Sequence, residues 1–81
     1  MTEALTSAIA SETGRLAEIT DLVERFNAAR DFRQTLAEGD RSGKAVQRAV
    51  VNELKQGRPW REVGELLGVS GSRAEQIAKG R

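Results

Sequence analysis

Apolar residues recur every three or four positions along most of the chain, which is the spacing of one face of an α-helix. No stretch shows the sustained alternation of β-branched and polar residues that is typical of a strand. Ala, Leu, Glu, Arg and Gln are abundant, and the single proline, Pro59, comes late in the chain. We therefore expect an all-α protein, with N-terminal helices over residues 1–40 followed by a tri-helical domain over 41–81.

The front half carries a heptad pattern. Between residues 5 and 26, six of the seven a and d positions are apolar, namely Leu5, Ile9, Leu16, Ile19, Val23 and Phe26. Asp21 and Glu24 have the spacing of a helix N-cap followed by a capping carboxylate. We expect one helix near 3–19 and a second near 21–37, either separate or fused. The glycines around Asp40, in Gly39–Gly43, predict a helix break or a weak joint.

An apolar face of this length needs a partner. It either folds back on the chain's own back half or meets its copy in a second subunit. We favour the second arrangement, in which the six heptad residues form a dimer interface, because the back half already has the pattern of a small core. A chain this short also has little interior of its own, so association would add buried surface.

Three further helices are expected in the back half. In the first of them, from Lys44, the apolar residues at helical spacing are Val46, Ala49, Val50 and Leu54. Gly57 supplies a stop, and Pro59 can open the next helix because its missing N–H would be unpaired there. That helix runs to Leu67, and a last helix extends from Gly71 to about Lys79.

The last two helices have the steric requirements of a helix-turn-helix. A tight turn between crossing helices needs a residue without a Cβ, which is Gly68, and a small residue at the closest approach, which is Gly64. Ser70 is a preferred N-cap for the final helix. The contact between the helices would be filled by Val63, Leu67, Val69, Ala74 and Ile77.

The segment Glu62–Ser70 (EVGELLGVS), followed by Arg73 and Gln76-Ile77, resembles the helix-turn-helix in region four of bacterial sigma factors and in many small bacterial regulators. The resemblance covers residues 60–79, and residues 44–56 fit as the preceding helix. It implies that the second helix of the motif enters the major groove of DNA, with Arg73 and Gln76 facing the groove. Residues 71 and 72, Gly and Ser, depart from the charged pair usual in sigma factors, so base readout would differ.

The residues themselves point to similar positions. With Ala74 and Ile77 inward, Ser72, Arg73 and Gln76 lie on the outer face, where Arg can bind guanine and Gln can bind adenine. Candidate phosphate contacts are Ser70, Gly71, Lys44, Arg48, Arg58, Arg61, Lys79 and Arg81. Glu75 could accept a hydrogen bond from cytosine or pair with Lys79, and we favour the ion pair. We interpret Trp60 as a packing residue rather than a base-stacking one.

The charge of +1 is unevenly distributed, because residues 1–40 carry a net −4 and residues 41–81 a net +5. A basic back half favours a polyanionic partner. The chain has no Cys, His or Tyr, and nothing places a nucleophile beside a base, so we expect neither an enzyme nor a metal or other cofactor. No apolar run approaches the length of a membrane span and Met1-Thr2-Glu3 lacks the basic start of a secretory signal, so we expect a cytoplasmic, nucleoid-associated protein.

Two functions therefore remain open. The first is a sequence-specific transcriptional regulator, of repressor type, that binds double-stranded DNA as a homodimer. The second is a protein–protein interaction module, such as an antitoxin or a polymerase-associated protein, whose helix-turn-helix does not read DNA. In either case the N-terminal helices could bind a protein partner.

Overall fold

The chain is helical almost throughout. The computed structural model describes residues 2–80 and contains, over that range, no strand. Its helices are α1 (Thr2–Ala17), α2 (Leu22–Lys55), α3 (Trp60–Leu67) and α4 (Gly71–Ala78). The all-α class is confirmed. The chain divides into two compact units, Met1–Ala37 and Glu38–Arg81, and the division falls within α2.

α1 and α2 are two separate helices, joined by residues 18–21. α1 ends at Ala17, and the Glu24 N–H donates to Asp21 Oδ2 (3.2 Å), as the N-cap pattern predicted. The Arg25 side chain then donates from Nε to the carbonyl of Ile19 (2.8 Å). This bond from α2 satisfies a backbone acceptor in the connection and ties the connection to the first turn of α2.

In the first unit, α1 and the beginning of α2 line an apolar groove of about 540 Å³. Leu16 is buried, and Leu5 and Ile9 from α1 line the groove together with Phe32 and Leu36 from α2, with Leu5 still 61% exposed. The heptad residues of α1 thus line a groove to which the chain's own second helix also contributes.

At the edge of this groove, Arg15 donates a hydrogen bond to the carboxylate of Glu12. That hydrogen bond and the attraction between the two charges lower the pKa of Glu12 and raise that of Arg15.

The predicted helix break at 39–43 is wrong, because α2 continues through it to Lys55. Neither Gly39 nor Gly43 has a positive φ, and the segment contains no proline. A glycine costs about 1 kcal/mol in a helix interior relative to alanine, which weakens a helix without ending it. Asp40 and Lys44, one turn apart, form an ion pair across this segment (3.3 Å).

The second unit has a small core contributed by three helices. Val51 of α2, Val63 of α3 and Ala74 of α4 are 2%, 0% and 0% exposed. Leu54, Trp60, Ile77 and Ala78 pack around them. The predicted packing of Val63, Ala74 and Ile77 is confirmed.

The predicted inner face of α2 needs correction. Leu54 packs on the core as predicted, but Val46 and Val50 are 65% and 41% exposed. Val51, which the prediction left out, is the residue that α2 buries. Leu67 and Val69 also remain more than a third exposed. The face that α2 turns toward α3 and α4 is therefore rotated by about one residue from the face expected.

Candidate nucleic-acid interface

The crossing of α3 and α4 depends on two glycines that allow backbones to touch. A Cβ on Gly64 would lie 2.6 Å from the Val69 carbonyl oxygen and 2.8 Å from the Gly71 nitrogen. A Cβ on Gly71 would lie 3.1 Å from the Arg61 nitrogen, in the first turn of α3. The role predicted for Gly64 is confirmed. Gly71 has a packing role that the sequence interpretation, which considered only access for a phosphate, did not identify.

The turn itself follows local rules that the sequence already displayed. Gly68 ends α3 in the left-handed conformation (φ 72°), and the Val69 N–H donates to the Gly64 carbonyl (2.9 Å). Ser70 then caps α4, its Oγ accepting from the Arg73 N–H (3.0 Å). Both predictions are confirmed.

The outer face of α4 is accessible. Ser72, Arg73 and Gln76, the three residues predicted to contact bases, are exposed, while Ala74 faces the core. Lys79 Nζ pairs with Glu75 Oε2 (2.6 Å), which confirms the predicted ion pair and leaves the ammonium of Lys79 partly neutralised. A large polyanion could therefore contact this face of α4 without any rearrangement of the second unit.

Beside α4 lies a groove of about 330 Å³ in which predicted residues from two helices meet. We call it the basic groove; it is lined by Lys44, Gln47, Arg48, Arg73, Ile77 and Gly80. Lys44 pairs with Asp40, but no carboxylate of residues 2–80 lies within ion-pair distance of Arg48 or Arg73. The sequence interpretation named the three cations but missed Gln47 and Gly80.

Register explains why α2 contributes to this groove. Lys44, Gln47 and Arg48 precede the inward residues Val51 and Leu54 at helical spacing, so they continue the same face of α2 one to two turns earlier. The helical spacing of Lys44, Gln47 and Arg48 from Val51 is visible in the sequence. It indicates a shared groove only if Val51, and not Val50, is placed in the core.

The remaining predicted phosphate contacts are dispersed. Arg58 is half-buried and donates from Nη1 to the Leu54 carbonyl (2.9 Å), so its guanidinium caps the end of α2. Its Nε also lies 3.8 Å from Glu62 Oε1. The side chain of Arg61 is exposed at the start of α3, outside the basic groove. Arg81 lies outside the described residues. Contact of these residues with phosphate stays a prediction.

Trp60 is partly buried against the core of the second unit, in agreement with its predicted packing role. The ammonium of Lys55 lies 5.2 Å from the centroid of the Trp60 ring, in a cation–π contact. Trp60 is the only aromatic residue in the sequence of the second unit, so no other aromatic side chain there could stack on a base.

The residues predicted for dimerisation do not form one stripe. Leu16 is buried within the first unit, Ile9 and Ile19 are half-buried, and Leu5 borders the apolar groove. Val23 and Phe26 are 67% and 71% exposed and do not line that groove. The bend between α1 and α2 separates the two groups, since a heptad pattern implies a common face only within one helix.

An apolar groove also lies in the second unit, lined chiefly by Val46, Val50, Leu67, Val69 and Ile77, with a volume of about 240 Å³.

Among the described residues, no helix is both long enough and apolar enough to cross a lipid bilayer. In comparisons with known proteins, no family model, no curated protein and no solved structure matches the chain.

Proposed function

We propose that this protein is a sequence-specific transcriptional regulator of repressor type that binds double-stranded DNA as a homodimer, with α4 in the major groove. The observation that carries the proposal is the exposed polar face of α4, Ser72, Arg73 and Gln76, beside Lys44 and Arg48, the cations that α2 contributes to the basic groove. The resemblance of α3, the turn and α4 to the sigma-factor helix-turn-helix supports the same reading.

The chemistry of α4 suits direct readout of base edges. An arginine such as Arg73 can donate two hydrogen bonds to O6 and N7 of guanine, and a glutamine such as Gln76 can pair with N6 and N7 of adenine. Each such bidentate contact discriminates against the wrong base by about 1–3 kcal/mol. Ser72, on the first turn, can contact either a base or a phosphate.

A homodimer would supply the specificity that one short helix lacks. Two half-sites about one helical turn apart are the usual target of a two-fold symmetric pair. On the first unit, Leu22, Val23 and Phe26 form an exposed apolar cluster at the start of α2. Pairing of this cluster with its copy would remove apolar surface from water, which favours association.

The test is selection of bound duplexes from a random pool, followed by titration of the selected site. We expect a palindromic consensus. Arg73→Ala should weaken binding by about 5- to 150-fold for each half-site, the equivalent of about 1–3 kcal/mol for each Arg73 of the dimer, and should relax preference at one position of each half-site. Arg41→Ala, an exposed α2 residue outside the basic groove, is the matched control and should bind normally.

A different result would overturn the proposal. If no duplex is enriched, or if Arg73→Ala binds the selected site with unchanged affinity and consensus, α4 does not read DNA. The second candidate function, a protein-interaction module, is favoured by the exposed apolar groove of the second unit. It predicts no binding to any duplex even at low salt, where electrostatic attraction to DNA is greatest.

A further inference from the structure

The two cations that α2 contributes to the basic groove, Lys44 and Arg48, lie one helical turn apart and point to one anion. We propose that Lys44 and Arg48 form a seat for a single backbone phosphate of the bound duplex, so that α2 holds the strand whose bases Arg73 and Gln76 of α4 read. This inference rests on the proposed function and assigns to the groove the chemical group that it takes, a phosphodiester.

Charge is the first argument. The groove brings three cationic side chains together and includes no carboxylate among its lining residues. Over residues 2–80, Lys44 pairs with Asp40, and that pair is exposed, so water screens it strongly. Arg48 forms no ion pair over the same range, so a phosphate beside it would accept charge-assisted hydrogen bonds from its planar guanidinium and from the Lys44 ammonium, while Arg73 stays available to a base.

The lining also distinguishes a phosphate from a nucleotide. A site that binds a base without reading its edges generally provides an aromatic face for stacking. The groove has none: its uncharged members are Gln47, Ile77 and Gly80. Gln47 can donate to a phosphate oxygen through its side-chain amide. The available chemistry is thus that of a phosphate group alone.

Gly80 positions Arg48 within the groove. It has a φ of 78°, and a Cβ built on it would lie 2.7 Å from Arg48 Nη2 and 3.0 Å from Arg48 Cζ. Any side chain at residue 80 would therefore displace the guanidinium, in addition to straining the backbone. The glycine lets the guanidinium of Arg48 rest against the chain at the C-terminal end of α4.

The experiment measures affinity for the selected duplex over a series of salt concentrations. The slope of log K against log salt is negative, and loss of one phosphate contact makes it less negative by about 0.9, or about 1.8 for one contact in each subunit of a dimer. Arg48→Ala should change the slope in this direction, by up to about 1.8, and should weaken selected and unrelated duplexes by similar factors. Arg41→Ala, on the same helix but outside the groove, should keep the wild-type slope. Circular dichroism and Trp60 fluorescence should show that both variants are folded.

A second measurement locates the phosphate. Duplexes in which one phosphate at a time is replaced by a neutral methylphosphonate should reveal a position where the replacement weakens Arg48→Ala binding less than it weakens wild-type binding. If the effects of Arg48→Ala and of methylphosphonate are additive at every position, the seat is refuted.

The failure of the seat and the failure of the proposed function give different results. If the wild type binds duplex DNA while Arg48→Ala behaves as Arg41→Ala does, the seat is wrong and DNA binding stands. If the wild type binds no duplex, DNA binding is wrong, and titration with inorganic phosphate tests the seat alone. Saturable shifts of the Gly80 and Arg48 amide resonances that disappear in Arg48→Ala would support an anion seat; their absence would overturn it.

Discussion

Replacing Gly64 with alanine tests the closest backbone contact in the second unit. The added methyl carbon would lie 2.6 Å from the Val69 carbonyl oxygen and 2.8 Å from both the Ser70 carbonyl carbon and the Gly71 nitrogen. These atoms belong to the turn and to the first residue of α4, so no side-chain rotation can relieve the clash. The methyl group can be accommodated only if α4 moves away from α3.

The magnitude follows from two opposing terms. Overpacking a close contact of this kind costs about 1–3 kcal/mol. Alanine in place of glycine in a helix recovers up to about 1 kcal/mol, because alanine has the higher helix propensity. Because the atoms in the way are backbone atoms at 2.6–2.8 Å, the cost falls in the upper part of the overpacking range, about 2–3 kcal/mol. After the gain in helix propensity of about 1 kcal/mol is subtracted, we expect Gly64→Ala to lower the free energy of unfolding of the second unit by about 1–2 kcal/mol.

Gly43→Ala provides the matched control, since it makes the same chemical change in α2, also in the second unit. A Cβ at Gly43 would meet nothing within 4 Å, so only the propensity term remains. This variant should be more stable than the wild type by about 0.5–1 kcal/mol. The sign of the effect therefore differs between the two glycines.

Urea unfolding followed by Trp60 fluorescence is the appropriate assay, because Trp60 is the only tryptophan and packs on the core of the second unit. If Gly64→Ala proves as stable as the wild type, or more stable, α3 and α4 do not meet at this glycine. The crossing described above would then be incorrect, and with it the placement of the outer face of α4.

Two further predictions concern the cap of α4 and the exposed surface of α2. Ser70→Ala should destabilise the second unit by about 1 kcal/mol, because it removes the acceptor for the Arg73 N–H. Thermal unfolding should show this as a decrease of several degrees. Ser72→Ala removes a hydroxyl that forms no hydrogen bond with residues 2–80 and should change the midpoint far less; equal effects would contradict the capping role. Val23→Asp should convert a dimer into a monomer in light scattering and lower affinity for a palindromic site, because it places a charge in the exposed apolar cluster. Gln34→Asp adds the same charge to an exposed polar position of α2 and should remain dimeric; a wild type that is monomeric at all concentrations would remove the basis for the proposed interface.

The turn between α3 and α4 could be predicted from sequence because its determinants are local. A left-handed residue at Gly68, a missing side chain at Gly64 and a capping hydroxyl at Ser70 each act within a few residues of their position. The cap at Asp21 is predictable for the same reason. Such features depend on backbone conformation and on hydrogen bonds within one turn, which the residue type nearly determines.

The course of α2 could not be predicted in this way. Gly39 and Gly43 are common both in breaks and in weak helices, and their cost of about 1 kcal/mol each does not by itself decide between the two. The outcome depends on the sum over a 34-residue helix, to which neighbouring helix formers and the Asp40–Lys44 pair contribute. The heptad residues of the front half do not form a single apolar stripe because the pattern spans the bend before Leu22. A heptad pattern implies a common face only within one helix.

The basic groove illustrates why net charge located the basic half of the chain but not its site. A face centred on Val50 would direct Val46 inward and leave Lys44 and Arg48 among the scattered surface cations. The observed face is centred on Val51, one residue later, and the same helical repeat then carries Lys44 and Arg48 toward Arg73. One residue corresponds to more than a quarter of a helical turn, so a small error in register changes which charges converge. Composition determines how many cations the second half has, whereas the position of one buried valine determines which of them can hold the same anion.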